Sequence, residues 1–317
     1  MSKRSKEFPF PFRNDSYAYS NHSARLDPPR TVTVSSRYTE EVTLKRKLLQ
    51  NNHDRCYRSL PLSLEAQWEV LMRVFKELST YEPKHFTLEQ RGNAYEFTNH
   101  LLREVEVFSY RDSSSIELEP LDLVGRHVQE DLIIMGDRHD GLFLEAGQLC
   151  FPSNWSLTFV LGMEFKAIHT PVPGITDSGF IEKVERFIRK IRPHSSWERK
   201  NWSITISDKL DTPLETYSEW GKLRYAVTEE NVGELVNVRV EIQRLYRLPQ
   251  TNDILFSIHT HLLPVEELVK DESWFKTFYT NIKTLADEIA EYKGIYLYKD
   301  QLLHYLEKES SKRKVQL

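Results

Sequence analysis

Cysteine is almost missing from this 317-residue chain, which holds only Cys56 and Cys150. An iron–sulfur cluster or a thiolate zinc site needs about four ligands, so neither can be built from this chain alone. Two distant cysteines in a chain of this length read as buried or free thiols, and a reducing cytoplasm is the expected setting. No stretch of about eighteen consecutive apolar residues occurs, so no helix is expected to span a bilayer. The opening MSKRSKEFPF has no apolar run of the kind a signal peptide uses. Charge of neither sign prevails: the net charge is −4, with no basic field to draw nucleic acid or an anionic membrane. Glycine-rich phosphate loops, nucleophile elbows and zinc-protease helix motifs are also missing. Kinase, nucleotide-hydrolase and serine-hydrolase chemistry is thereby disfavoured.

Aromatic residues are plentiful at 12%, enough for a sizeable core and suited to a flat aromatic ligand. Residues 1–36 are polar and broken by Pro9, Pro11, Pro28 and Pro29, which predicts an extended arm anchored by Phe8, Phe10 and Phe12. One domain is expected over 37–312, with a frayed tail at 313–317. Apolar spacing predicts helices over 37–52, 62–80 (with Ser63 as N-cap), 87–108, 178–192, 272–293 and 298–312. Apolar runs flank the Asp140-Gly141 turn and predict paired strands at 128–135 and 141–151. Trp202, Ile204 and Ile206 mark a strand at 201–207. The clearest hairpin runs from 236–249 through QTND into 254–264. There Val236, Val238, Val240 and Ile242 alternate with Asn237, Arg239, Glu241 and Gln243, so the odd positions share one face. The order is helices, about five antiparallel strands, then helices, which is an α+β class without βαβ alternation.

Several segments together resemble the haem-dependent oxidative N-demethylase-like family. They are EPLDLVG with VQEDLIIM (119–135), LCFPSNW (149–155) before Leu161-Gly162, IHTPVPG (168–174), RKNW (199–202), and the VRVEIQRLYRLP and ILFSIHTHLLP strands. The likeness covers most of 40–265, and its specificity lies in the combination. It implies a PAS-like haem-binding fold and oxidation of a small secondary amine by dioxygen. Haem b would be the cofactor, with electrons from a flavin and iron–sulfur reductase polypeptide in a hetero-oligomer. Two positions depart from the family's hairpin: Ile242 replaces an arginine, and His261 replaces a tyrosine. They imply an altered propionate contact or substrate, or a member without activity. A haem or small-ligand sensor without turnover and a haem-free scaffold are the rival readings.

Such chemistry needs an axial ligand, donors for two propionates, an apolar pocket and a group to position the amine. His169, stiffened by the prolines that follow it, is the expected iron ligand, with His259 and His261 as alternatives on one strand face. Arg239, Arg199, Asn201 and Gln243 are expected to contact haem, and Trp155 to stack on it. Glu130 and Asp131, adjacent acids that a strand sends to opposite sides, are the expected catalytic carboxylates. The plain alternatives are a loop histidine, a surface ladder of alternating charge, and a core tryptophan. His127 is a weaker ligand candidate, and His139-Asp140 is expected to face solvent in its turn.

Overall fold

The computed structural model describes residues 6–12, 22–175 and 179–315. Ten strands are present among them: β1 (Ala24–Leu26), β2 (Tyr57–Ser59), β3 (Phe86–Arg91), β4 (Ala94–Asn99), β5 (Glu104–Ser109), β6 (Asp131–Arg138), β7 (Gly141–Gln148), β8 (Ser196–Ile206), β9 (Val236–Arg247) and β10 (Ile254–Pro264). They form a seven-stranded antiparallel sheet, β1-β8-β9-β10-β6-β7-β2, and a separate β3-β4-β5 sheet. The α+β class is as expected, but the main sheet has seven strands rather than about five. The two extra strands, β1 and β2, are three-residue edges, too short to show a period of two.

The period-two pattern of the central hairpin organises the main sheet. Register pairs His259 with Ile242, His261 with Val240 and Thr260 with Glu241. Paired residues share a side. Arg239, Glu241, Gln243 and Thr260 therefore point to one face, here the front, and Val240, Ile242, His259 and His261 to the back. The back is covered by two apolar clusters. One joins Leu132, Ile134, Tyr246 and Leu255 to the helices Tyr38–Asn51 and Leu64–Tyr81. The other joins Trp202, Ile204, Val238 and Leu263 to Phe275, Phe278 and Leu302 of the C-terminal helices. The front carries a third cluster, in which Ile133, Leu144, Leu245 and Ile258 meet the short helices Leu157–Val160, Phe165–His169 and Phe180–Arg189.

The arm docks through its aromatics. Phe10 stacks on Trp274 at 4.8 Å, and Phe12 lies 4.8 Å from Trp202. Further along, Glu77 accepts from the backbone N–H groups of Thr31 and Val32. Residues 1–5, 13–21, 176–178 and 316–317 lie outside the described residues. The C-terminal helix Lys299–Arg313 includes the first residue of the expected tail, and Val315 packs against the second cluster.

The helix expected over 87–108 is replaced by β3-β4-β5. The signal overlooked is Gly92-Asn93, a two-residue hairpin turn in which Gly92 adopts φ +64°. Tertiary packing then selects the strands: Phe86, Phe97 and Phe108 gather under Phe75 of the helix Leu64–Tyr81, with Phe75 and Phe97 stacked. The expected 272–293 helix also breaks, into Glu272–Thr284 and Asp287–Tyr292, where Leu285 turns extended to reach the core. Ser63 occupies the N-cap of Leu64–Tyr81, but its hydroxyl donates to the Leu60 carbonyl and accepts from the Gln67 side-chain amide rather than from a helix backbone N–H. Gly162 adopts φ +79° and donates its backbone N–H to the Leu144 carbonyl of β7 at 2.7 Å.

Removing the Phe97 ring should cost about 3–5 kcal/mol, the usual range for a large aromatic deleted from a core. Urea unfolding of Phe97→Ala against wild type measures it, and a loss below about 1 kcal/mol would show that the small sheet is not tied to the helix.

Candidate functional site

The sheet separates the residues singled out in the sequence into two groups. On the front, Asn201 Nδ2 and Gln243 Nε2 both donate to Glu241, at 3.3 and 3.0 Å. Arg199 pairs across the ladder with Gln243, so it joins the same strip. Half-buried Trp197, Phe256, Phe187 and Trp155 belong to the apolar cluster on this face. The segment bearing His169 starts at the β7 edge, where Phe143 bridges Glu164. It brings His169 near enough to Arg199 for that charge to act on the imidazole.

His169 closes the helix Phe165–His169 rather than sitting in an open loop. Its Nδ1 lies 2.8 Å from the Phe165 carbonyl, one turn back. A carbonyl only accepts, so Nδ1 carries the proton, and the lone pair of the neutral ring is left on Nε2. Burial first, and then Arg199, lower the pKa of His169 and favour that neutral form. A backbone-anchored Nδ1 with a free Nε2 lone pair is how proteins orient a histidine toward a metal.

Arg239 lies on the front strip but is fully buried. Its guanidinium donates to the carbonyls of Leu210 and Phe151, to Thr260 Oγ1 and to Glu241. These donors are spent on the protein, so Arg239 is placed to brace the 150–152 and 210 turns rather than to meet a ligand. Asp131 works beside it. Its two carboxylate oxygens accept from Cys150 N (2.8 Å) and Phe151 N (2.9 Å). Burial pushes its pKa up to about 6, against the pull of Lys45 and these N–H groups. Cys56 and Cys150 are both buried and free.

Glu130 faces the other way. It is buried on the back, accepts from Thr33 N and Thr33 Oγ1, and lies 3.4 Å from His259 Nδ1. His259 Nε2 lies 3.6 Å from Glu41, which the sequence did not single out. Glu130 is held down to about 2, burial opposing and His259 with Arg244 prevailing. Burial likewise opposes the charge on His259, but Glu130 and Glu41 raise it to about 9. The two expected catalytic acids thus occupy separate sites. A turn of exposed His139 and Asp140 joins β6 to β7. Sequence reasoning missed Glu41 because it stands on a helix, where its spacing reads as an ordinary solvent-side acid.

His127 belongs to a third group. Glu104, Glu106 and His127 bring three ligand-type atoms within 4.8 Å. The Asn99 amide, oriented by Leu102 N on its oxygen, donates to His127 Nδ1. His127 Nε2 must then carry the proton and donate to Glu106 at 3.1 Å. The trio is a hydrogen-bonded prop beneath Phe75 and Phe97, not a set of open lone pairs.

A histidine with a raised pKa adds stability that is complete below about pH 6.5 and is lost as the pH climbs to about 9. Wild-type stability should therefore decline across that window relative to His259→Gln, the gap between the two narrowing as His259 deprotonates. Urea midpoints at pH 6, 7.5 and 9 measure the difference. A gap that does not change with pH would remove the charged His259 pair.

The front strip combines an anchored imidazole, the Arg199 guanidinium and two amides gathered around Glu241, and a half-buried aromatic wall, donor types that suit a haem with two propionates. Residues 22–303 match the family model described as haem-dependent oxidative N-demethylase, alpha subunit-like. No helix among the described residues is long and apolar enough to cross a membrane. The chain belongs to the haem-dependent oxidative N-demethylase, alpha subunit-like family.

Proposed function

We propose that the front face of the main sheet holds haem b, with His169 Nε2 as the axial ligand. The observation that carries this reading is the Nδ1 bond to the Phe165 carbonyl, which leaves Nε2 as the lone-pair nitrogen beside an incompletely covered apolar face. Arg199 and the second N–H of each of the Asn201 and Gln243 amides hold the propionates, the first N–H of each amide being taken by Glu241. Trp155 and Phe256, half-buried rings of the apolar cluster on this face, shield the bound group from water. Non-covalent attachment follows from the sequence, which has no Cys-x-x-Cys-His motif.

Bound haem supplies the redox centre at which dioxygen and two electrons hydroxylate an N-methyl carbon of a small secondary amine, a second oxygen atom leaving as water with two protons. The carbinolamine product breaks its C–N bond to give formaldehyde and the shorter amine. Asp131 and Arg239 act as positioning residues, holding the Cys150–Pro152 turn that leads to Trp155. Burial raises the Asp131 pKa only to about 6, so its carboxylate is mostly ionised at neutral pH, as the two N–H bonds it accepts require. The chain has no flavin, nicotinamide or iron–sulfur motif, so a reductase polypeptide carrying flavin and an iron–sulfur cluster delivers the electrons, in keeping with an alpha-subunit-like family.

The test is the visible spectrum of protein supplied with haem, followed by amine-dependent formaldehyde release with an added electron donor. Wild type should show a Soret band. His169→Ala should lose or shift that band, and Arg199→Ala should bind haem about tenfold more weakly, as expected for one lost charge-assisted contact. A Soret band unchanged in His169→Ala moves the ligand elsewhere. No band in any of the proteins removes the haem reading.

A further inference from the structure

Residues 217–226 and 291–297 are far apart in sequence but meet on the surface, where the short helices Gly221–Ala226 and Tyr296–Tyr298 pack against each other. Arg224 ties the two segments. Its guanidinium lies 5.4 Å from the Tyr217 ring and 5.2 Å from the Trp220 ring, and a Cβ at Gly294 would meet its Nη2 at 3.1 Å. Six of the twelve large apolar side chains exposed among the described residues stand on these segments: Tyr217, Leu223, Tyr225, Tyr292, Tyr296 and Leu297. Exposed apolar residues scattered singly need no explanation. Gathered in this way, with tyrosine prevailing, they have the composition of a protein interface.

The charges among them point to what covers the patch. Lys293 is buried, and the charged groups of 217–226 and 291–297 that reach solvent are Glu219, Lys222, Arg224 and Glu291. None of these four has an ion-pair partner among the described residues. Two are cations and two are anions, so the patch carries no net charge. Nucleic acid or an anionic membrane calls for a basic excess, which this patch lacks. A protein surface of one sign would meet like charge at two of the four positions. A second copy of the same chain, turned about a twofold axis, sets cations against anions in both directions and covers the rings at the same time.

We propose that the chain forms a twofold dimer through this patch, with Tyr225 of each copy packed against the rings of the other and Glu219 and Glu291 facing Lys222 and Arg224 across the axis. None of the residues proposed to hold haem takes part, so the dimer stands whether or not haem is bound.

Sedimentation velocity of the full chain from about 1 to 100 µM tests it, a range that brackets a micromolar dissociation constant. Wild type should be dimeric by the upper end of that range, and added salt should weaken the association. Tyr225 is 78% exposed, so Tyr225→Glu, with its fold checked by circular dichroism, should weaken association at least about thirtyfold, the loss of an aromatic anchor. Glu219→Lys combined with Glu291→Lys makes the patch wholly cationic. That double variant should associate more weakly than wild type and should gain with salt, as repulsion is screened. Val107→Glu, also at an exposed position but on β5 of the small sheet, should dimerise as wild type does. A wild type still monomeric at about 100 µM, undiminished association in Tyr225→Glu, or a double variant that responds to salt as wild type does overturns the proposal.

Discussion

Three arginines buried in one strand are the constraint on which the rest of the molecule depends. Arg239, Arg244 and Arg247 of β9 are all buried. A buried guanidinium without partners is strongly destabilising, so each must draw groups from elsewhere onto the sheet. Arg239 takes the carbonyls of Phe151 and Leu210. Arg244 takes Glu198 and, with Thr33, pulls the N-terminal arm across the back. Arg247 takes the carbonyls of Ile188, Arg189 and Ile191, ending the helix Phe180–Arg189 as a cation suited to a helix C-terminus, and also pairs with Asp137. The loops over both faces are thus placed by electrostatic satisfaction as much as by apolar packing.

The pleat turns this single strand into two chemically different surfaces. The front carries Arg199 and two amides around Glu241 beside aromatic rings, the surface proposed to hold haem. The back sets the carboxylates of Glu130 and Glu41 against His259, Arg37 and Arg244. The two departures from the family's hairpin pattern, Ile242 and His261, both fall on the back, with Ile242 directly opposite His259. An arginine at 242 would not join the strip of Arg199, Asn201 and Gln243. The change therefore leaves the proposed propionate contacts alone and alters the back.

The arm is part of this design rather than an appendage. Thr33 and Ser35 donate backbone N–H groups to Glu130 and Gln129, and Ser257 bonds the Thr31 carbonyl. Residues 31–37 therefore roof the histidine pair, and Phe8 forms part of a cleft beside it.

Much of the architecture was legible in the chain itself. Alternation identified the β9–β10 hairpin and the shared face of Arg239, Glu241 and Gln243, because a strand's period of two is a local property. The same rule sent Glu130 and Asp131 to opposite sides. The family was legible too, through motifs whose combination is specific. Local pattern failed at 87–108, where the turn dipeptide was short and the deciding contact was Phe75, on a helix distant in sequence. It could not tell that Arg239 spends its donors on the protein's own carbonyls, since that depends on where the 150 and 210 turns come to rest. Nor could it bring Glu41 to His259. Spacing along one chain sets which side a residue faces; the charges and hydrogen-bond partners it meets there come from segments far away in sequence, and only the tertiary structure decides them.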